Sequence, residues 1–403
     1  DYLIIAASHL VDAAERIADH RRADGYRVMV VDVDEVFWAF AGGAPDPNAL
    51  QELLAYAWRS WASAPRFVML VGKGSHDYRD ILGLGGNWVP PMLAATEDGL
   101  LPADGSLGDV QGEDGIPEIA VGRLPLTDAD QIEQILEWVR DFEQGQLDEP
   151  WTSSLFVSDD GDGGAFSAAT ELLSMAAAPG TQHRIDLSQE SLDSAKGRLR
   201  TLWSQPTSLV AYVGHGGLDR LAEEGLLTYD ELAPLSGQPS RPIFVGWSCN
   251  LARFDIPAFF PLGERLLTEG ASVAVLSATG WSNHAATDRM RIRFHEALSE
   301  VETLGAALLE AHRASADAPR AIHDVQALLG DPALRLRPAD ADPEPLPEPS
   351  PELDDPADPF QDGIAGTGGS GCGVARRDAG RSSASFGALL LLLFAMGRRR
   401  RVH

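Results

Sequence analysis

Two short segments carry residue types that nucleophilic catalysis needs. Leu209-Val-Ala-Tyr-Val-Gly-His215-Gly-Gly is an apolar run that ends in an imidazole followed by two glycines. Ile243-Phe-Val-Gly-Trp-Ser-Cys249-Asn is an apolar run that ends in a thiol. A thiol reacts as its thiolate, which at neutral pH needs a neighbouring base or cation, and an imidazole supplies either. Gly216 and Gly217 leave room for a substrate backbone, and the N–H groups there suit a developing oxyanion. Each residue also has an ordinary structural reading. A lone Cys in an apolar run is usually a small buried hydrophobe, and a His at a strand end is often a hydrogen-bonded core or turn residue. Found together, with Cys249 the only thiol before Cys372, they point to catalysis.

Such residues act only if the fold brings them together. Short apolar runs at 2–6, 27–31, 66–71, 118–122, 154–158, 182–187, 208–213, 241–247 and 272–277 read as strands, several of them apolar throughout, as expected where both faces are covered. Helical patterns lie between them at 11–24, 47–62, 128–143, 165–177 and 187–203; in the third, Thr127 is the expected cap and Ile132, Ile135, Leu136 and Val139 form one stripe. The alternation implies an α/β fold with a mostly parallel sheet, whose functional loops gather at the carboxyl ends of the strands. If the strands before His215 and Cys249 are neighbours, imidazole and thiol stand side by side. The polar stretch Glu143–Trp151 reads as the connection between two α/β halves, 1–146 and 147–337.

The formal charge of −28 argues against a nucleic-acid partner, which would need a basic surface. A zinc hydrolase is disfavoured because no His-Glu-x-x-His spacing occurs and His284 and His295 are poorly spaced for chelation. Ser158-Asp-Asp-Gly-Asp-Gly163 has the composition of a calcium loop but lacks the downstream Glu at the required offset. A strand-to-helix turn capped by aspartates is the better reading, with Asp159, Asp160 and Asp162 as weak calcium candidates.

The segments around His215 and Cys249 resemble the catalytic segments of the gingipain-type cysteine peptidases, peptidase family C25. Leu70-Val-Gly-Lys-Gly-Ser-His-Asp-Tyr-Arg79, Val89-Pro-Pro91, Pro117-Glu-Ile-Ala-Val-Gly-Arg-Leu-Pro125 and Leu328-Leu-Gly-Asp-Pro-Ala-Leu-Arg-Leu336 are similar to further blocks of that family, in the same order. The resemblance covers most of residues 1–337. It implies a caspase-like, gingipain-type three-layer α/β sandwich of two subdomains with mostly parallel sheets, the second catalytic. It implies an endopeptidase acting on proteins or peptides, with Cys249 as nucleophile, His215 as base and the N–H groups of Gly216 and Cys249 as oxyanion hole. Glu118 matches the family's acid near the His, with a surface ion pair to Arg123 as the equal alternative. Trp281 is a candidate pocket wall, set against a plain core role. No cofactor is required, and structural calcium is compatible with the family. The run Cys249-Asn-Leu-Ala-Arg-Phe254 departs from the pattern, as do Lys73 and His76, and the acid that selects basic residues in some relatives has no counterpart that can be placed.

Residues 338–366 are Pro-rich and acidic, without Lys or Arg, and read as a disordered spacer. Residues 367–403 join Cys372-Gly to an apolar stretch, 386–397, and an Arg cluster. This resembles a myxobacterial (MYXO-CTERM type) sorting tail. It implies export, a membrane processing enzyme acting at Cys372 and anchoring at the cell surface or outer membrane, with an N-terminal signal missing from this chain. Two other functions remain compatible with the sequence: a non-catalytic surface binding module, and a sorting or maturation transpeptidase.

Overall fold

Runs that are apolar throughout become strands covered on both faces, because only there is every side chain removed from water. The computed structural model describes residues 1–337 apart from 113, 150 and 239. Its strands are β1 (Tyr2–Ala6), β2 (Val28–Asp32), β3 (Phe67–Val71), β4 (Leu93–Thr96), β5 (Gly99–Pro102), β6 (Ala120–Leu124), β7 (Ser153–Ser158), β8 (Thr181–Asp186), β9 (Leu209–Val213), β10 (Arg220–Leu221), β11 (Leu227–Thr228), β12 (Ile243–Trp247), β13 (Ala274–Ala278) and β14 (Gln326–Leu329). Ten of them form one sheet in the order β2-β1-β3-β6-β14-β13-β12-β9-β7-β8, and β4–β5 and β10–β11 are separate hairpins. Strands β1, β3, β6, β9, β12 and β13 are buried at every position.

Neighbouring strands of the large sheet run parallel except β13 and β14, which pair antiparallel. The sheet therefore consists of two parallel sets of five strands pointing opposite ways, with β14, late in the chain, pairing with both β13 and β6. The carboxyl ends of β7, β9, β12 and β13 share one edge, and Asp159, His215 and Cys249 follow the first three of them.

Helices lie between the strands as the periodicity predicts, with shifted ends. The third predicted helix runs Ala129–Asp148, and its cap is Asp128, whose carboxylate accepts the Asp130 N–H at 2.8 Å, rather than Thr127. It buries the expected stripe of Ile132, Ile135, Leu136 and Val139. The helices Val33–Phe40 and Leu304–Ala314 had no counterpart in the sequence reading.

The polar connection expected from Glu143 onward is helical through Asp148, and Glu143 itself is buried. Its carboxylate accepts from Arg21 Nη1 at 2.8 Å, His20 Nε2 at 3.0 Å and the Arg335 N–H at 2.9 Å. Arg21 also holds Asp331, to which the Tyr2 hydroxyl donates at 2.7 Å. Burial alone would raise the Glu143 pKa, but the bonds from His20, Arg21 and Arg335 bring it from 4.5 down to about 2. A depressed carboxylate stabilises the fold above its unfolded pKa, and that contribution disappears as pH falls through the folded value. Between about pH 5 and pH 2 the native protein should therefore lose about 3 kcal/mol more than Glu143→Gln does, as read by urea unfolding. Parallel pH profiles for the two chains would contradict this account.

Candidate active site

Register decides which side chains meet. Val213 of β9 lies opposite Trp247 of β12 and opposite Ser158 of β7. The chain leaves all three strands at one level, and within two residues come Asp159, His215 and Cys249.

His215 Nδ1 lies 3.0 Å from Asp159 Oδ2, and the His215 backbone N–H donates to the same oxygen at 2.9 Å. Asp159 is 2% exposed, whereas the His215 side chain is 49% exposed. An ionised carboxylate only accepts, so the ring proton sits on Nδ1 and the Nε2 lone pair is left for an incoming proton. The Phe166 ring packs edge-on against the imidazole at 5.1 Å between centroids.

Cys249 is partly exposed and is a free thiol. The Ser282 N–H points at Sγ at 3.3 Å. The next residue, Asn250, has φ +61°, and its N–H donates to Gly280 O at 3.0 Å. Asn is among the few residues that enter this left-handed region at low cost, so the strand can turn sharply just after the thiol. Gly216 packs under the same turn: a Cβ there would lie 2.0 Å from Ser248 Oγ and 2.8 Å from Cys249 O. Among the described residues, neither the Gly216 nor the Cys249 N–H donates a hydrogen bond.

Two pairs from the segment after β3 hold the chain that follows Cys249. Lys73 Nζ meets Glu264 Oε1 at 2.7 Å, both side chains being buried, and His76 Nδ1 lies 3.1 Å from the fully buried Asp255. Burial raises the Glu264 carboxyl to about 7 and lowers the Lys73 ammonium, so both shifts favour a neutral pair. Lys73 and His76, departures from the family pattern, are thus ties to the cysteine loop.

The sequence profile of peptidase family C25 matches residues 1–337. The chain belongs to peptidase family C25. As a C25 member it is a cysteine-type peptidase. Similar solved structures include the Arg-specific cysteine proteinase gingipain R, at 16% identity and a TM-score of 0.66 over 83% of this chain and 78% of that one. Another is the complex of the pro- and mature domains of RgpB from Porphyromonas gingivalis, at 16% identity and a TM-score of 0.65 over 83% of this chain and 79% of that one. At such identity the likeness shows the fold, which is the gingipain-type α/β architecture expected from the sequence. No curated protein matches the chain.

Within this C25 chain the acid that meets His215 is Asp159, not Glu118. Glu118 Oε2 accepts the N–H groups of Val110 and Gln111, both at 3.0 Å, and burial raises its pKa. Nor does Arg123 pair with it: the Arg123 guanidinium binds the buried Asp104 at 2.5 Å. The sequence signal for Asp159 was its place directly after an apolar strand on the edge that carries His215; the capping reading of the Asp doublet obscured it. Trp281 is 69% exposed, so the core alternative is overturned, and it adjoins Ser282, which touches the thiol.

Carboxylate oxygens of Asp159, Asp160 and Glu224 lie within 4.8 Å of one another, without Asp162. Calcium wants six to eight oxygen ligands. Both oxygens of Asp159 are already engaged, Oδ2 with His215 and Oδ1 with the Asp160 N–H at 2.9 Å, so these residues fit the ion poorly. His284 precedes the helix Asp288–Glu300 that carries His295, and His295 Nε2 accepts the Trp247 indole N–H at 3.2 Å, which leaves the two histidines with separate structural partners. The spacer and the tail with Cys372 and 386–397 lie outside the described residues. No described helix is long and apolar enough to cross a membrane.

Proposed function

We propose that the chain is an endopeptidase in which Cys249, His215 and Asp159 form the catalytic unit. The observation that carries this reading is the level exit of β7, β9 and β12, with the Asp159 carboxylate 3.0 Å from His215 Nδ1. Cys249 passes its proton to His215 Nε2, and the thiolate attacks the scissile carbonyl carbon. The carbonyl oxygen becomes an oxyanion facing the Gly216 and Cys249 N–H groups, which have no other acceptor among the described residues. The C–N bond breaks as imidazolium protonates the departing amine, leaving a thioester. Water then gives a proton to His215 while attacking the thioester; the C–S bond breaks, the acid product departs, and the Cys249 sulfur takes the proton back from His215. Asp159 stabilises the imidazolium at both stages. Trp281, exposed beside Ser282, offers an apolar wall to a substrate side chain.

Display at the cell surface belongs to the same proposal and rests on the sequence of residues 338–403, with Cys372 as the processing site. Both parts are tested on producing cells. Intact cells should cleave long synthetic peptides at internal bonds, with water rather than added amine in the new carboxyl termini. A Cys372→Ser chain should release that activity into the medium. Removal of terminal residues only would overturn the endopeptidase; activity that stays with Cys372→Ser cells would overturn the anchor.

A further inference from the structure

Tyr212 lies three residues before His215 on β9 and is fully buried. Its hydroxyl is 2.6 Å from His215 O, 3.2 Å from Asp159 Oδ2 and 2.9 Å from the Ala222 nitrogen, whose N–H donates to it. A phenol has one proton to give. Asp159 Oδ2 already receives two N–H groups from His215, at 2.9 and 3.0 Å. Among the described residues the His215 carbonyl receives only the Ala222 N–H, at 3.0 Å, besides the phenol. The shorter contact and the free lone pair both direct the Tyr212 proton to the His215 carbonyl.

The surrounding backbone is shaped to allow this contact. A Cβ on Gly214 would lie 2.5 Å from the Tyr212 oxygen and 2.3 Å from Asp159 Cβ, so any side chain there would push the two apart. Ala222 has φ +60°, a left-handed conformation that is strained for a non-glycine residue. The loop accepts that strain while aiming the Ala222 N–H at both the phenol and the His215 carbonyl.

We propose that Tyr212 is a positioning residue: its hydroxyl clamps the His215 carbonyl while Asp159 clamps the His215 N–H and ring, so that Nε2 is held in place for Cys249. This rests on the reading of His215 as the base. With both ends of the His215 peptide fixed, the ring keeps one orientation. Without the hydroxyl the carbonyl keeps, among the described residues, one donor in place of two, the Ala222 N–H, and the residue gains freedom at the point where small displacements matter most. A misplacement of about 1 Å in a catalytic group costs up to about 100-fold.

The test is Tyr212→Phe, which keeps the buried ring and removes only the oxygen. Kinetics on an internally cleaved peptide should show kcat falling by about 10- to 100-fold with KM within about twofold. Alkylation of Cys249 by iodoacetamide at neutral pH should slow in parallel, a change that mere loosening of the core would not produce. Both rates are taken well below the variant's own melting midpoint, where the chain is folded. A kcat within about threefold of the parent, or a rise in KM with unchanged kcat, overturns the proposal. Cys249→Ala is run beside it. If that chain still cleaves, the catalytic unit itself is wrong; if it is inactive while Tyr212→Phe is fully active, only the role of Tyr212 falls.

Discussion

Cys249→Ala lowers kcat/KM by about 10⁵ or more and leaves the melting midpoint within a few degrees of the parent. The size of the loss follows from the chemistry, since alanine has no atom that can form the acyl-enzyme. Whatever remains is the modest acceleration from bound substrate and oxyanion donors. The small cost in stability follows from the site. The side chain is partly exposed, and among the described residues Sγ has hydrogen-bond contact with the Ser282 backbone alone. The pairs Lys73–Glu264 and His76–Asp255, which hold the loop behind it, are untouched. Cys249→Ser should fall almost as far, because a hydroxyl placed beside the same imidazole ionises far less readily than a thiol. The two effects are read separately, by cleavage of a peptide substrate and by thermal unfolding. Cleavage within about tenfold of the parent would place the nucleophile elsewhere and return Cys249 to an ordinary strand-end residue.

The large features of the fold were legible because they rest on periodicity. Runs such as Phe67–Val71 and Ile243–Trp247 are apolar at almost every position, and no other element suits a short chain segment that must be covered on both sides. The antiparallel joint between β13 and β14 was not legible. Val275 pairing with Leu329 depends on contacts across more than fifty residues of intervening chain, and strand direction leaves no mark in local sequence. At the site, His215 and Cys249 stood out by residue type and by their place after apolar runs. Asp159 did not, because an Asp after a strand has a common local use as a cap, and only the register of β7 against β9 shows which residue faces it. Glu118 stands apart from His215 in the structure for a local reason. The family resemblance alone offered it as the acid near His215, but Gly108 O accepts the Glu118 N–H and the carboxylate is taken by the N–H groups of Val110 and Gln111.

Asp159→Asn should lower kcat by about 10⁴, the scale seen when the orienting acid of a catalytic histidine is replaced by its amide. An asparagine at 159 has two orientations, and both fail. If its NH₂ faces His215 Nδ1, that nitrogen must accept, the proton moves to Nε2 and the ring can no longer take the thiol proton. If its oxygen faces Nδ1 the tautomer survives, but the negative charge that favours imidazolium is gone. The sign of the pH effect follows. Losing the carboxylate disfavours the charged ring, so the thiolate–imidazolium pair is depleted most at and below neutral pH. Alkylation of Cys249 should therefore slow by about 10-fold or more near pH 6 and approach the parent rate near pH 9.5, where a thiol of ordinary pKa, about 8.5, ionises unaided. A fall caused only by misfolding would be uniform across pH and would be accompanied by a lowered melting midpoint. Glu118→Gln provides the contrast. Its oxygen can still accept from Val110 and Gln111, and kcat should stay within about threefold of the parent. The opposite pattern, with Glu118→Gln crippled and Asp159→Asn active, would mean that the acid serving His215 during turnover is Glu118 and that the 3.0 Å contact to Asp159 is structural.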